Sequence, residues 1–221
     1  MTYSIHPSQE LIELFKAKPY QGQAPDQATV IILGNDANYS PDISEHPFFE
    51  HVLEYHQDGV AFWKNKGVHH PFLLDDYPFN KTKGGVPYHR RIASMGFDGS
   101  YADKFSFVEL LDVPTIGNTN DDKEVFWSLI NIEHLNWLES ILLEGDKKIV
   151  LTTSTFFRIL KKLQKDYGCF KSLKDKTGDM PVMVYQENNT RIYKSYSFSH
   201  SLTKEYIHDL SKMIRCFMGE K

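Results

Sequence analysis

The chain has only two cysteines, Cys169 and Cys216, and no Cys-x-x-Cys pair. Two thiols cannot supply a four-thiolate iron–sulfur site, and a chain of this size needs no disulfide framework to fold. It lacks the glycine-rich phosphate loop Gly-x-x-x-x-Gly-Lys-Ser/Thr, and it lacks a Gly-x-Ser-x-Gly nucleophile turn. His46 to His51 does not read His-Glu-x-x-His, and His69-His70 has no third ligand at zincin spacing. No metal and no cofactor are therefore expected. No apolar run approaches the ~20 residues that span a bilayer. The opening residues, Met1 to His6, carry no charged-then-apolar signal pattern. A cytoplasmic protein without membrane partners is the expectation.

A basic excess is missing too. The formal net charge is −4, which argues against a protein that coats nucleic acid without selectivity. Charge distribution matters more than the sum, however. Lys81, Lys83, His89, Arg90 and Arg91 gather around Gly84-Gly85, and Lys161, Lys162 and Lys165 gather on a later helix pattern. Solvated faces account for most such clusters, but either could grip a phosphate backbone. Aromatic residues are plentiful at 14%, enough to fill a core and still leave rings for stacking on bases.

The 221 residues suffice for one domain, expected to span 1–221. Thr29-Val30-Ile31-Ile32-Leu33 is a continuous, β-branched apolar run, as in a strand buried on both faces. Further strands are expected over 105–111, 147–153, 180–185 and 191–198, the last two across an Asn188-Asn189 turn. Helical spacing marks 8–16, 47–56, 89–95, 121–143, 155–166 and 203–217. Ser154 suits the cap of the fifth helix and Gly168 its end. Residues 75–88 read as loop. Alternating helices and strands imply an α/β fold: a three-layer α/β/α sandwich around a central, mostly parallel sheet of four or five strands.

Two motifs stand at strand ends. Ile32-Leu33-Gly34-Asn35-Asp36-Ala37-Asn38-Tyr39-Ser40 follows the first buried strand. Ser197-Phe198-Ser199-His200-Ser201-Leu202-Thr203 follows the last. In a parallel sheet both would reach the carboxyl edge, where α/β folds bind ligands. Their order, with Val60-Ala61-Phe62-Trp63 and Val150-Leu151-Thr152-Thr153-Ser154 between them, resembles the uracil-DNA glycosylase superfamily, from about residue 28 to 215. Departures are visible. Ala37 stands where that family has proline, Asn38 where its classical uracil enzymes have tyrosine, and no proline follows His200. The middle-strand asparagine that reads the base has no clean counterpart, with Asp112 and Glu109 the nearest polar residues. The base is therefore left open between uracil, a deaminated purine and a modified pyrimidine.

The resemblance implies a uracil-DNA glycosylase-like fold and a DNA glycosylase that acts on a base flipped from DNA. Breaking an N-glycosidic bond builds positive charge on the sugar and negative charge on the base. Asp36 would stabilise the first and orient water, and His200 would assist the second by proton donation or a neutral hydrogen bond. Asn35, Tyr39, Phe48 and Asp112 are the candidate base contacts. Ser40, Ser154, Ser199, Ser201, Thr203, Arg90 and Arg91 are the candidate phosphate contacts. DNA, single- or double-stranded, is the implied partner, and a monomer is expected. Two other readings stay open: a catalytically silent nucleic-acid-binding module of the same fold, and a nucleoside hydrolase. Taken alone, Asp36 also fits an Asx turn, His200 a hydrogen-bonded turn, and the phenylalanines a core.

Overall fold

The structure is a computed structural model that describes residues 2–119, 121–144 and 147–220. Met1, read above as part of the opening segment, lies outside the described residues. Its centre is a six-stranded sheet built from β2 (Tyr20–Gly22), β3 (Val30–Gly34), β4 (Phe105–Glu109), β6 (Lys148–Thr153), β7 (Val182–Glu187) and β8 (Thr190–Ser195). Strand order is β2-β4-β3-β6-β8-β7. The inner pairings β4·β3, β3·β6 and β6·β8 are parallel, and the two edge strands are antiparallel to their neighbours. A separate antiparallel pair joins β1 (Ser4–Ile5) to β5 (Thr115–Ile116).

The pleat sorts side chains onto two faces. On one, Ile31, Leu33, Val108, Val150 and Ile192 meet α5 (Lys123–Ser128), α6 (Ile132–Leu143) and α7 (Ser154–Lys162) through Phe126, Leu135, Leu138, Phe156 and Leu160. On the other, Val30, Ile32, Phe105, Phe107, Ile149 and Leu151 meet α3 (Gly59–Lys66), α4 (Val86–Ala93) and α8 (Lys204–Met218) through Trp63, Ile92, Leu210 and Ile214. A third cluster joins α1 (Gln9–Ala17) and α2 (Phe49–Gln57) to Tyr39, Ile43, Phe48, Phe72 and Tyr77. The α/β class is as the sequence implied: a mixed, mostly parallel sheet flanked by helices. No helix among the described residues is long and apolar enough to cross a membrane.

Several expectations need correcting. The sheet has six strands, not four or five, because Tyr20–Gly22 adds an edge that three residues ending in a glycine at φ 77° do not advertise. The helix expected over 121–143 is two helices. Asn131 adopts extended backbone between them, and its Oδ1 accepts from Glu133 N at 3.0 Å. The apolar periodicity runs through the break because both helices press on one cluster. Ser154 does not cap α7. Thr153 is the capping residue, without a side-chain bond, and Ser154 is the first helical residue. A helix also forms over Gly59–Lys66, where none was expected, although Asp58 Oδ1 caps it and left-handed Gly67 ends it. The loop expected through 88 ends early, since α4 begins at Val86 with Pro87 in its first turn.

Candidate active site

Parallel pairing brings Gly34, Glu109, Thr153 and Ser195 to the carboxyl ends of four adjacent strands. The ladder between β3 and β4 continues past the strands, with Leu110 N donating to Gly34 O at 3.1 Å and Leu111 N to Asn35 O at 3.2 Å. The chain then runs beside β5. Thr115 N donates to Ala37 O at 2.8 Å and Tyr39 N to Thr115 O at 3.0 Å. This zipper presents Asp36 to three hydroxyls. Thr115 Oγ1 donates to Oδ2 at 2.7 Å, Tyr3 Oη to Oδ2 at 3.2 Å, and Thr119 Oγ1 to Oδ1 at 3.4 Å. Burial raises the Asp36 pKa, and the three donors pull against that rise.

Glu109, the last residue of β4, lies against Gly34. A Cβ placed on Gly34 would fall within 2.6 Å of the Glu109 Cδ and Oε1 and closer still to Oε2. Glycine is what lets the two strand ends share that space. Glu109 Oε2 is buried and has no hydrogen-bond partner among the described residues, and the same holds for Asn35 Oδ1. Burial, then the nearby Asp36 charge, raises the Glu109 pKa well above the usual carboxyl range. In return the Glu109 charge helps raise Tyr39, Tyr55 and Tyr88, in each of which burial is the larger cause. The Glu109 carbonyl accepts from His134 Nε2 at 2.9 Å.

Tyr88 links this edge to the late motif. Its ring meets that of Phe198 edge-on, centroids 5.6 Å apart at 89°. Phe198 is fully buried on the face that holds α4 and α8. Two residues on, His200 is exposed. It lines a surface cleft of about 320 Å³ together with Ser154, Arg158, Ser197, Ser201 and Thr203. The Thr203 hydroxyl is engaged at the start of α8, where it accepts from Tyr206 N at 3.1 Å.

No protein-family model matches this chain, and no curated protein shows significant similarity to it.

The remaining candidates fall in several places. Asp36 is not among the residues lining the His200 cleft, and the strands that lead to the two are separated by β6, about 10 Å across the sheet. Phe48 and Tyr39 are each 4% exposed, inside the third cluster, so neither ring offers a face to solvent. Tyr39 Oη lies 3.3 Å from His56 Nε2. Asp112 accepts from Asn131 Nδ2 at 2.7 Å, beyond the end of β4. Ser40 uses its carbonyl to accept from His6 Nε2 at 2.9 Å. Ser199 is exposed but is not among the cleft-lining residues, and its N–H donates to Ser197 Oγ at 3.3 Å. Arg90 is exposed on α4, while Arg91 Nη1 donates to Pro87 O at 2.8 Å.

Tyr3, Thr115, Thr119, Tyr88 and Arg158 were not among the expected site residues. Only Tyr88 had a local cue, the Gly84-Gly85-Val86-Pro87 turn that starts α4. A Cβ on Gly85 would sit 2.8 Å from the Phe72 ring and 3.6 Å from Asn38 O, so this glycine seats the helix start against the first motif. Chemically, the edge offers a carboxyl group rich in donors beside another with an idle oxygen. Hydroxyls and a guanidinium stand further along the same edge, in the cleft that holds His200.

Proposed function

We propose that the protein is a DNA N-glycosylase that hydrolyses the bond between deoxyribose and a damaged or modified base turned out of the strand. The observation that carries this reading is the Asp36 carboxyl at the end of β3, oriented by Thr115, Tyr3 and Thr119. A fixed carboxylate is what an oxocarbenium-like sugar requires, since it stabilises developing positive charge without having to reorganise. Ser154, Arg158, Ser201 and Thr203 suit the flanking phosphates, because hydroxyls, a guanidinium and two helix starts all favour anions. His200 stands among them, at the rim. The fold is read as uracil-DNA glycosylase-like, with the Gly34–Asp36 turn and the Ser199–Ser201 turn as its two defining motifs.

Oligonucleotides carrying uracil, hypoxanthine, xanthine or a modified cytosine, treated with alkali after incubation, test this. Strand cleavage at one of these bases, lost in Asp36→Asn, is expected. A folded sample that binds DNA and releases none of them would reject the enzymatic reading.

One observation favours a silent binding module instead: the Asp36 oxygens already receive protein hydroxyls, as in a purely structural turn. That reading predicts salt-dependent DNA binding that Asp36→Asn leaves unchanged, with no excision by the wild type.

A further inference from the structure

We propose that Glu109, rather than His200, is the general acid of this reaction, passing a proton from its carboxyl group to the departing base. The inference rests on the glycosylase reading above and assigns it a residue.

Its first support is an idle atom. Buried polar atoms nearly always find a partner, and one left without a partner costs free energy. Among the described residues Glu109 Oε2 has none, and neither does Asn35 Oδ1 on the neighbouring strand end. Both residues sit where β4 and β3 finish, within three positions of Asp36 or in register with Gly34. The second support is space. The Glu109 carboxyl fills the place where any residue but glycine at 34 would put its side chain. The sequence thus holds this carboxyl directly behind the Asn35-Asp36 turn.

The third support is the division of charge. Asp36 receives three hydroxyl donors, whereas Glu109 Oε2 receives none among the described residues. Two nearby carboxyls in such unequal settings do not ionise together: the one supplied with donors keeps the charge and the other keeps the proton. The titratable groups that act on or answer to the Glu109 carboxyl are Asp36, Tyr39, Tyr55 and Tyr88, none of which brings a positive charge, while His134 bonds the Glu109 carbonyl and burial lowers its pKa. His200, by contrast, is exposed among Ser154, Ser201 and Arg158, a setting suited to phosphate.

The step balances with water as the only co-reactant. The bond from C1′ to the base nitrogen breaks, and its electron pair leaves with the base. The base takes the Glu109 proton. Water held by Asp36 adds its oxygen to C1′ and gives one proton to the Glu109 carboxylate. The products are free base and a 1′-hydroxyl sugar, and both carboxyl groups return to their starting states.

Single-turnover excision by Glu109→Gln tests the proposal across bases of different leaving ability and across pH. Removal of a general acid should slow excision by about 10²–10⁴-fold for a base that must be protonated, such as hypoxanthine. It should slow a 5-halogenated uracil much less, because that base departs readily as an anion. The fall in wild-type rate at high pH should vanish in the variant. Equal rates for variant and wild type overturn the proposal. So does one uniform loss over all bases with the high-pH fall intact, since that marks a structural role. If the wild type excises nothing, the glycosylase reading itself fails and the proposal falls with it. Difference infrared spectroscopy needs no turnover. The wild type at pH 7 should show a protonated-carboxyl carbonyl band that Glu109→Gln, or Glu109→Asp if the first does not fold, removes or shifts. Absence of that band overturns the assignment.

Discussion

The Glu109 carboxyl occupies the volume that a side chain on Gly34 would need, so the two residues are fitted to each other across the β3·β4 ladder. Gly34 has no left-handed backbone to explain it. Alanine is therefore conformationally acceptable there, and only the contact resists it. Gly34→Ala should fold, lose about 1–3 kcal/mol in urea unfolding through overpacking, and lose excision as Glu109 is pushed aside. A fully active Gly34→Ala would show that the fitted position of Glu109 is unimportant to function.

Asp36 depends most on its shortest donor, Thr115 Oγ1 at 2.7 Å. Thr115→Val keeps the shape and removes that donor. The loss should be about 1–3 kcal/mol at neutral pH, as for a hydrogen bond to a charged group. The sign with pH follows from the raised pKa of Asp36. Its ionisation costs the fold more and more as pH climbs past the unfolded value of 3.8, and losing a donor enlarges that cost. The difference between variant and wild type should therefore be larger at pH 7 than at pH 3. Urea titrations at both values check it, and an equal difference at both would contradict it.

Acid should weaken the protein through its buried imidazoles. His70 stacks on His89 with centroids 3.6 Å apart, and His69 Nε2 lies 3.2 Å from His89 Nδ1. Burial lowers His56 and His69 to about 3, and it lowers His70 and His89 as well. The unfolded chain takes up these protons near 6.5, while the fold refuses them until far lower pH. Stability is thus whole above 6.5 and is lost on the way down to about 3, by about 1.4 kcal/mol per pH unit for each histidine. His69→Gln should make the decline shallower. Stability that stays flat between pH 7 and 5 would count against this.

Arg158 is exposed in the His200 cleft. If the cleft holds phosphates, Arg158→Ala should weaken oligonucleotide binding whatever the sequence. It should also reduce the slope of log affinity against log salt by about 0.7–0.9, the value of one phosphate contact. Filter binding at several salt concentrations reads this. An unchanged slope would remove the cleft from the DNA path.

Much of the scaffold was visible in local pattern. The run from Val30 to Leu33, the final helix and the stop at Gly168 were all legible, because each depends on residues within a turn or two. The break at Asn131 was not legible, since periodicity reports which side is buried rather than whether the backbone is continuous. Asp36 was visible as a carboxyl on a glycine turn. Its three donors, 33, 79 and 83 residues away, were not.

Sequence alone determined the α/β class, the central strands and the presence of a carboxylate and a histidine at strand ends. Periodicity, caps and turn chemistry are short-range properties that survive without coordinates. Tertiary structure decided that Asp36 is well supplied with donors while Glu109 Oε2 has none among the described residues, that Phe48 and Tyr39 are core, and that Tyr88 packs edge-on against Phe198 of the late motif. Hydrogen-bond supply, burial and protonation are set by whatever the fold brings close, and those neighbours are distant in the chain.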